Sequence, residues 1–189
     1  MATALQQYRF VGHAIISADS KIANSDGVMP SELAHPADRE QFQAALDEAT
    51  LIVLGRRSHE SVPNRRGRKR LIMSRSVNSA EQRRDGWWWN PVGMPLQDAL
   101  AAVAPGGGTI AIPGGRGVFD YFLTVGFDAF HLSRNALVTL PGGVAIFGES
   151  VSGTSAEQVL RGAGLHPGKT KILDSEEYVS MTVWRTPRR

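Results

Sequence analysis

The feature that most constrains this chain is a set of short apolar runs that each break off into polar, basic or glycine-rich residues. LIVL (51–54) stops at Gly55-Arg56-Arg57-Ser58, RLIMS (70–74) at Arg75-Ser76, and TIAI (109–112) at Pro113-Gly114-Gly115-Arg116-Gly117. The longer YRFVGHAIIS (8–17) gives way to Ala18-Asp19, and the stretch 127–133 ends at Ser133-Arg134. Uninterrupted apolar runs of this length suit strands covered on both faces, as in a parallel sheet. Helical patterns separate them. Pro36 to Leu46 carries Phe42, Ala45 and Leu46 on one stripe, Pro95 to Val103 is stopped by Pro105 and three glycines, and Val118 to Val125 is amphipathic. Glu177 to Arg185 alternates and reads as an antiparallel strand. The expected fold class is therefore α/β: one domain over 1–189, a mostly parallel twisted sheet with an antiparallel C-terminal edge strand. Ligands of such sheets settle beyond the carboxyl ends of the strands, so the polar residues after each run are the candidate site.

Composition narrows the chemistry. There is no cysteine, which excludes a disulfide scaffold, a thiolate metal centre and a Cys nucleophile. The five histidines show no metal-ligand spacing, so no metal is expected. No apolar run approaches the roughly 20 residues that span a bilayer. Residues 1–10 lack the basic-then-apolar order of a secretory signal, and a cytoplasmic location is expected. Charge is uneven: the segment 56–84 carries a net +8, leaving −5 for the rest of a chain whose total is +3. One strongly positive face is expected, facing an anionic ligand that is either a phosphorylated cofactor or a nucleic acid.

Individual motifs each admit two readings. Gly114 to Gly117 sits between a strand and a helix, where glycines let the backbone approach a phosphate; a plain turn would also use a glycine. Arg56 and Arg57 offer cationic forks and Ser58 an N-cap or phosphate ligand; a solvated turn is the alternative. Asp38 lies in a first helical turn, one turn before Phe42. Beside that aromatic wall its carboxyl would be desolvated and fit for proton transfer, or it serves only the helix dipole. Trp87-Trp88-Trp89 reads as a strand or hairpin covering a core edge, with a stacking platform as the alternative. The block 65–70 runs directly into an apolar strand and lacks interleaved aromatics, which argues against nucleic acid. The loop between Ser17 and Pro30 is long enough to be functional.

In this order, Met29-Pro30, Pro36-Ala37-Asp38 with Phe42, GRRSHES (55–61), GRKRLIMSRS (67–76), PGGRGVF (113–119) and HLSR (131–134) resemble the dihydrofolate reductase superfamily, which includes the reductases of riboflavin synthesis. The resemblance runs from about Phe10 to Phe147. It implies a dihydrofolate reductase-like fold and an NADPH-dependent reductase acting on a small molecule. It implies that Asp38 holds the substrate ring and assists its protonation, that Ser133 buttresses the acid, and that Ile15, Met29, Phe42 and Arg68 contact the substrate, Arg68 gripping a carboxylate tail. It assigns the coenzyme to Ile16, Ile22, Gly55, Arg56, Arg57, Ser58, Ser74, Arg75, Ile112, Gly114, Gly115, Arg116, Gly117, Val118 and Phe119, with the arginines favouring NADPH over NADH. Ser31 stands where dihydrofolate reductases usually have Trp, Arg39 replaces an apolar residue, and residues 17–23 look closer to the riboflavin-type reductases. The expected substrate is a dihydropterin such as dihydrofolate or dihydromethanopterin. A ribosylaminopyrimidine phosphate, bound with help from Arg39 or Arg134, is the alternative. A nucleic-acid module using 56–84 and a homodimer remain open beside these.

Overall fold

The structure, a computed structural model, describes residues 5–187; the outermost residues of the expected 1–189 domain lie outside that range. In chain order the strands and helices are β1 (Tyr8–Ser17), β2 (Lys21–Ala23), α1 (Pro36–Glu48), β3 (Leu51–Gly55), α2 (Arg56–Ser61), β4 (Arg70–Met73), β5 (Ala80–Arg83), β6 (Gly86–Trp89) and α3 (Leu96–Val103). They continue with β7 (Gly108–Gly114), α4 (Arg116–Val125), β8 (Ala129–Asn135), β9 (Val144–Ala145), α5 (Ala156–Gly162), β10 (His166–Pro167), β11 (Lys171–Asp174) and β12 (Val179–Arg185).

One sheet runs β10-β12-β8-β1-β7-β3-β4-β6-β5, with β11 also on β12. The six strands β8, β1, β7, β3, β4 and β6 are mutually parallel, so the residues after five of the expected runs gather at one rim. The C-terminal strand β12 is antiparallel to β8, as expected, and β10 and β11 pair along its outer side.

Alternate residues of each central strand feed two cores. Phe10 and Ile16 of β1, Leu51 and Val53 of β3 and Trp89 of β6 pack with Leu100 of α3 and Phe119 and Phe122 of α4. On the opposite face, Ile52, Leu54, Ile72, Trp88 and Ala111 pack under Leu46 and Phe42 of α1. Each such side chain contributes about 1.5–3 kcal/mol by leaving water. The tryptophan triplet is thus a strand at the sheet's far end. Trp88 and Trp89 are buried on opposite faces, and their indole N–H groups donate to Asp85 (3.0 Å) and to the Met94 carbonyl (2.9 Å).

The topology opens a gap in the middle of this sheet. β1 and β7 pair only from Tyr8↔Gly108 to Gly12↔Ile112. Beyond that point β1 continues to Ser17 on β8 alone, while β7 reaches Gly114 on β3 alone. The helix after β1 covers one face and the helix after β7 the other. Neighbouring strands that send their helices to opposite faces create the crevice in which doubly wound sheets bind ligands.

Candidate active site

Asp38 enters this crevice from α1. His35 caps the helix, its Nδ1 accepting from the Ala37 N–H (3.3 Å), and Pro36 occupies the first turn, where its missing N–H costs nothing. This places Asp38 half-buried over β8, facing the Ser133 hydroxyl. Burial pushes the Asp38 carboxyl above the ordinary carboxylate range, while Ser133 and His35 pull it partly back. Ser133 pairs in register with Ile15 of β1, so acid, hydroxyl and Ile15 share the face under α1.

The His35 cap was not legible, because histidine is not among the preferred N-cap residues. Its Nε2 faces Asp174 (3.5 Å) and Glu177 (3.3 Å) from the turn before β12. His35→Ala removes the cap, and a loss of about 1 kcal/mol in urea denaturation is expected, with His35→Asn recovering most of it. Equal stabilities of all three proteins would show that the cap contributes nothing.

Across the gap, β7 runs into the glycines. Gly114 has φ of +93° and the 114–115 peptide is cis. Gly115 is the N-cap of α4, and a Cβ there would meet only Ile22 Cδ1, at 3.8 Å. A Cβ at Gly117 would meet nothing within 4 Å. The start of α4 thus presents open backbone next to Ile22, while Val118 closes against Gly55, whose Cβ would lie 3.4 Å from it. Ile112 and Phe119 are buried behind this rim. Ile22 is held there because β2 pairs with β9, which gives the long loop after β1 a structure its sequence did not reveal. Met29, farther along the same loop, is exposed.

Arg56, Arg57 and Arg75 stand exposed after β3 and β4 on the same rim, and Ser74 is buried with its hydroxyl 2.9 Å from that of Ser76. Ser58 is not the N-cap of α2; Gly55 is, and Ser58 lies inside the helix's first turn.

The rest of the basic segment does not form one positive face. Arg66 and Arg68 both pair with Asp47, Lys69 donates to the Val103 carbonyl, and Arg70 is buried against His59. The sequence counted these charges without their partners, which come from α1, α2 and α3. Arg68 in particular is engaged: its Nε donates to Asp47 (2.8 Å) and its Nη2 to the side chain of Gln43 (2.8 Å). Arg134 is similarly occupied by the carbonyls of Ser17 and Ala18 and by Glu157. Arg39 is exposed on α1.

Two residues on the floor of the crevice escaped the sequence reading. His13 and His131 pair in register on β1 and β8, one step below Ile15 and Ser133, with ring centroids 4.7 Å apart. The only signal was a histidine inside an otherwise apolar strand, and a search for metal-ligand spacing passes over it.

No protein-family model matches the chain, and no curated protein sequence does either. Solved structures do. A protein assigned to riboflavin biosynthesis from Shewanella sp. PV-4 aligns with a TM-score of 0.68 at 20% identity, over 95% of this chain and 99% of the other. Dihydrofolate reductase from Enterococcus faecalis, complexed with NADP(H) and RAB-propyl, aligns with a TM-score of 0.65 at 15% identity, over 95% and 96%. A diaminohydroxyphosphoribosylaminopyrimidine deaminase/5-amino-6-(5-phosphoribosylamino)uracil reductase from Thermotoga maritima aligns with a TM-score of 0.66 at 13% identity; this chain, 95% covered, spans 57% of it. The fold is dihydrofolate reductase-like. Among the described residues, no helix is long and apolar enough to cross a membrane.

Proposed function

We propose that the protein is an NADPH-dependent reductase that transfers a hydride to a C=N bond of a dihydropterin, dihydrofolate or a close analogue. The observation that carries this reading is the desolvated Asp38, set with Ser133 on one side of a crevice whose other side is open glycine backbone. An oxidoreductase complexed with NADP(H) shares the fold.

The residues fit a phosphorylated nicotinamide coenzyme. The start of α4 leaves room at Gly115 and Gly117, and the first N–H groups of a helix have no intrahelical partner, so a phosphate could approach them closely. Arg56, Arg57 and Arg75, with the Ser58 and Ser74 hydroxyls, would hold the nucleotide end. Gly55, Ile16, Ile22, Ile112, Val118 and Phe119 would shape the space between. When bound, the coenzyme supplies the hydride. The chain's own part is to bring two rings together, to exclude water with the Met29 loop, and to manage one proton. Asp38 would hold the ring nitrogens and favour protonation next to the carbon that is reduced, and Ser133 would orient the carboxyl. Ile15 and Phe42 would flank the ring.

A second reading, a ribosylaminopyrimidine phosphate as substrate, is favoured by one observation. The expected grip of Arg68 on a carboxylate tail competes with Asp47, which already holds that guanidinium. With Arg134 occupied, Arg39 is the arginine left for a substrate phosphate.

Purified protein should oxidise NADPH in the presence of dihydrofolate, dihydromethanopterin or the aminopyrimidine phosphate, and the ratio of turnover rates decides between the readings. No oxidation with any of them would refute the reductase reading. Arg75→Ala is expected to weaken NADPH binding by about 10-fold or more and NADH binding far less, since a charged hydrogen bond contributes about 1.5–3 kcal/mol. Quenching of tryptophan fluorescence measures both. Equal losses for the two coenzymes would remove Arg75 from recognition of the extra phosphate.

A further inference from the structure

His13 is a polar side chain buried to 94% in the middle of β1, with relative exposure of 6%. Its ring lies 4.7 Å from that of His131 and 6.1 Å, edge-on, from Phe42 of α1. Burial, reinforced by His131, lowers the His13 pKa to about 3; burial, with Arg185 and Arg9 toward one end, lowers that of His131. Both rings are therefore neutral at physiological pH, and each carries one N–H donor and one bare nitrogen acceptor. Neither ring has a hydrogen-bond partner among the described residues. Nor are their nitrogens sealed off, as the unpartnered Trp184 indole nitrogen and Arg70 Nε are. Both rings lie on the face of the sheet that α1 covers.

His13 is buried and His131 half-buried, and each keeps a donor and an acceptor that no group among the described residues takes up, so a bound ligand can use them without displacing a protein partner. The pair lies two residues along the strands from Ile15 and Ser133, a separation of about 7 Å. That is close to the breadth of a substituted six-membered ring.

Building on the reductase reading, we propose that His13 and His131 are specificity-determining residues: they form the polar floor of the crevice and read the far edge of a nitrogen heterocycle whose near edge is held by Asp38. Two neutral imidazoles side by side match an amide-like edge, one carbonyl acceptor and one N–H donor, as carried by pyrimidinones and pterins. They do not match a hydrocarbon edge.

His13→Phe and His131→Phe test this with the full chain. With whichever reduced heterocycle the wild type turns over, each is expected to raise KM by about 10-fold or more. The kcat should stay within about 3-fold and NADPH affinity should be unchanged, because neither ring meets the transferred hydride. His13→Gln, which restores a donor and an acceptor, should recover part of the loss. Wild-type KM in both Phe variants would overturn the proposal. A second measurement does not depend on turnover: titration of the imidazole nitrogen resonances with pterin and with 5,6-diaminouracil. Both histidines should shift along one saturable curve in the wild type. If no heterocycle is turned over, the reductase reading fails and this titration still decides the floor's role. Unshifted imidazoles, whether or not the probes bind, would overturn it.

Discussion

Asp38→Asn is expected to lower kcat by about 100-fold or more at pH 7, within the range found when a positioned proton donor is removed. Affinity for NADPH should change by less than about 2-fold, since most of the residues proposed to hold the coenzyme lie across the gap. The loss should be largest at neutral and higher pH and shrink in acid, where solvent can protonate the substrate without help. The same substitution should leave the fold as stable or make it more stable. The folded-state pKa of Asp38 is raised above its unfolded value, so the folded protein binds the proton more tightly. The stability from that linkage is complete below the unfolded pKa and is lost as pH rises through the folded one. At neutral pH the wild type therefore carries a desolvated charge that Asn lacks. A variant with full turnover would remove Asp38 from the mechanism; one with lost turnover and a lowered Tm would show that it is structural.

Gly114→Ala is expected to be strongly destabilising. A Cβ there would lie 2.4 Å and 2.5 Å from two ring carbons of Phe119, and the residue's φ of +93° is one that an L side chain rarely adopts. Phe119 cannot swing aside, because its ring packs against Phe130 (5.3 Å) and Phe147 (6.0 Å) in the core. Overpacking costs about 1–3 kcal/mol and left-handed backbone about 1–2, so Tm should fall by on the order of 10 °C. Gly117→Ala is the control. Its Cβ meets nothing and it sits in the first turn of α4, so the fold should be unaffected or slightly firmer, yet NADPH should bind more weakly. Trimming the ring with Phe119→Leu should restore part of the Gly114→Ala loss, read as a coupling between the two sites. Equal Tm values for Gly114→Ala and the wild type would refute the account of this turn.

What could be read from the sequence was what local chemistry fixes. The apolar runs at 51–54 and 109–112, the Pro36 helix start and the glycines at 114–117 each specify their own structure, and parallel pairing then carries the strand ends to one rim. The antiparallel return at 179–185 was legible from its alternation. β5 was not, because AEQR is a solvent-facing edge strand with no apolar signal. Nor were β2 and β9, whose pairing joins residues far apart in sequence. Desolvation of Asp38 was one of the two readings its place one turn before Phe42 on α1 allowed, and its carboxyl is half-buried there. The status of Arg68 was not legible, since whether a guanidinium is free depends on Asp47, 21 residues earlier and on another element.

The short ladder between β1 and β7 has a mechanical consequence. Five register pairs, Tyr8↔Gly108 to Gly12↔Ile112, join the half-sheet that carries Ser133 and the histidines to the half that carries the glycine rim. Among the described residues, no other β1–β7 pairing holds the two halves together on either side of the crevice. At the end of that joint opposite the crevice, a Cβ at Gly108 would lie 2.2 Å from Thr50 Oγ1 and one at Gly107 2.6 Å from the Gln7 carbonyl oxygen. A methyl group at either position is therefore expected to strain the joint itself, at a distance from every residue proposed for the ligands.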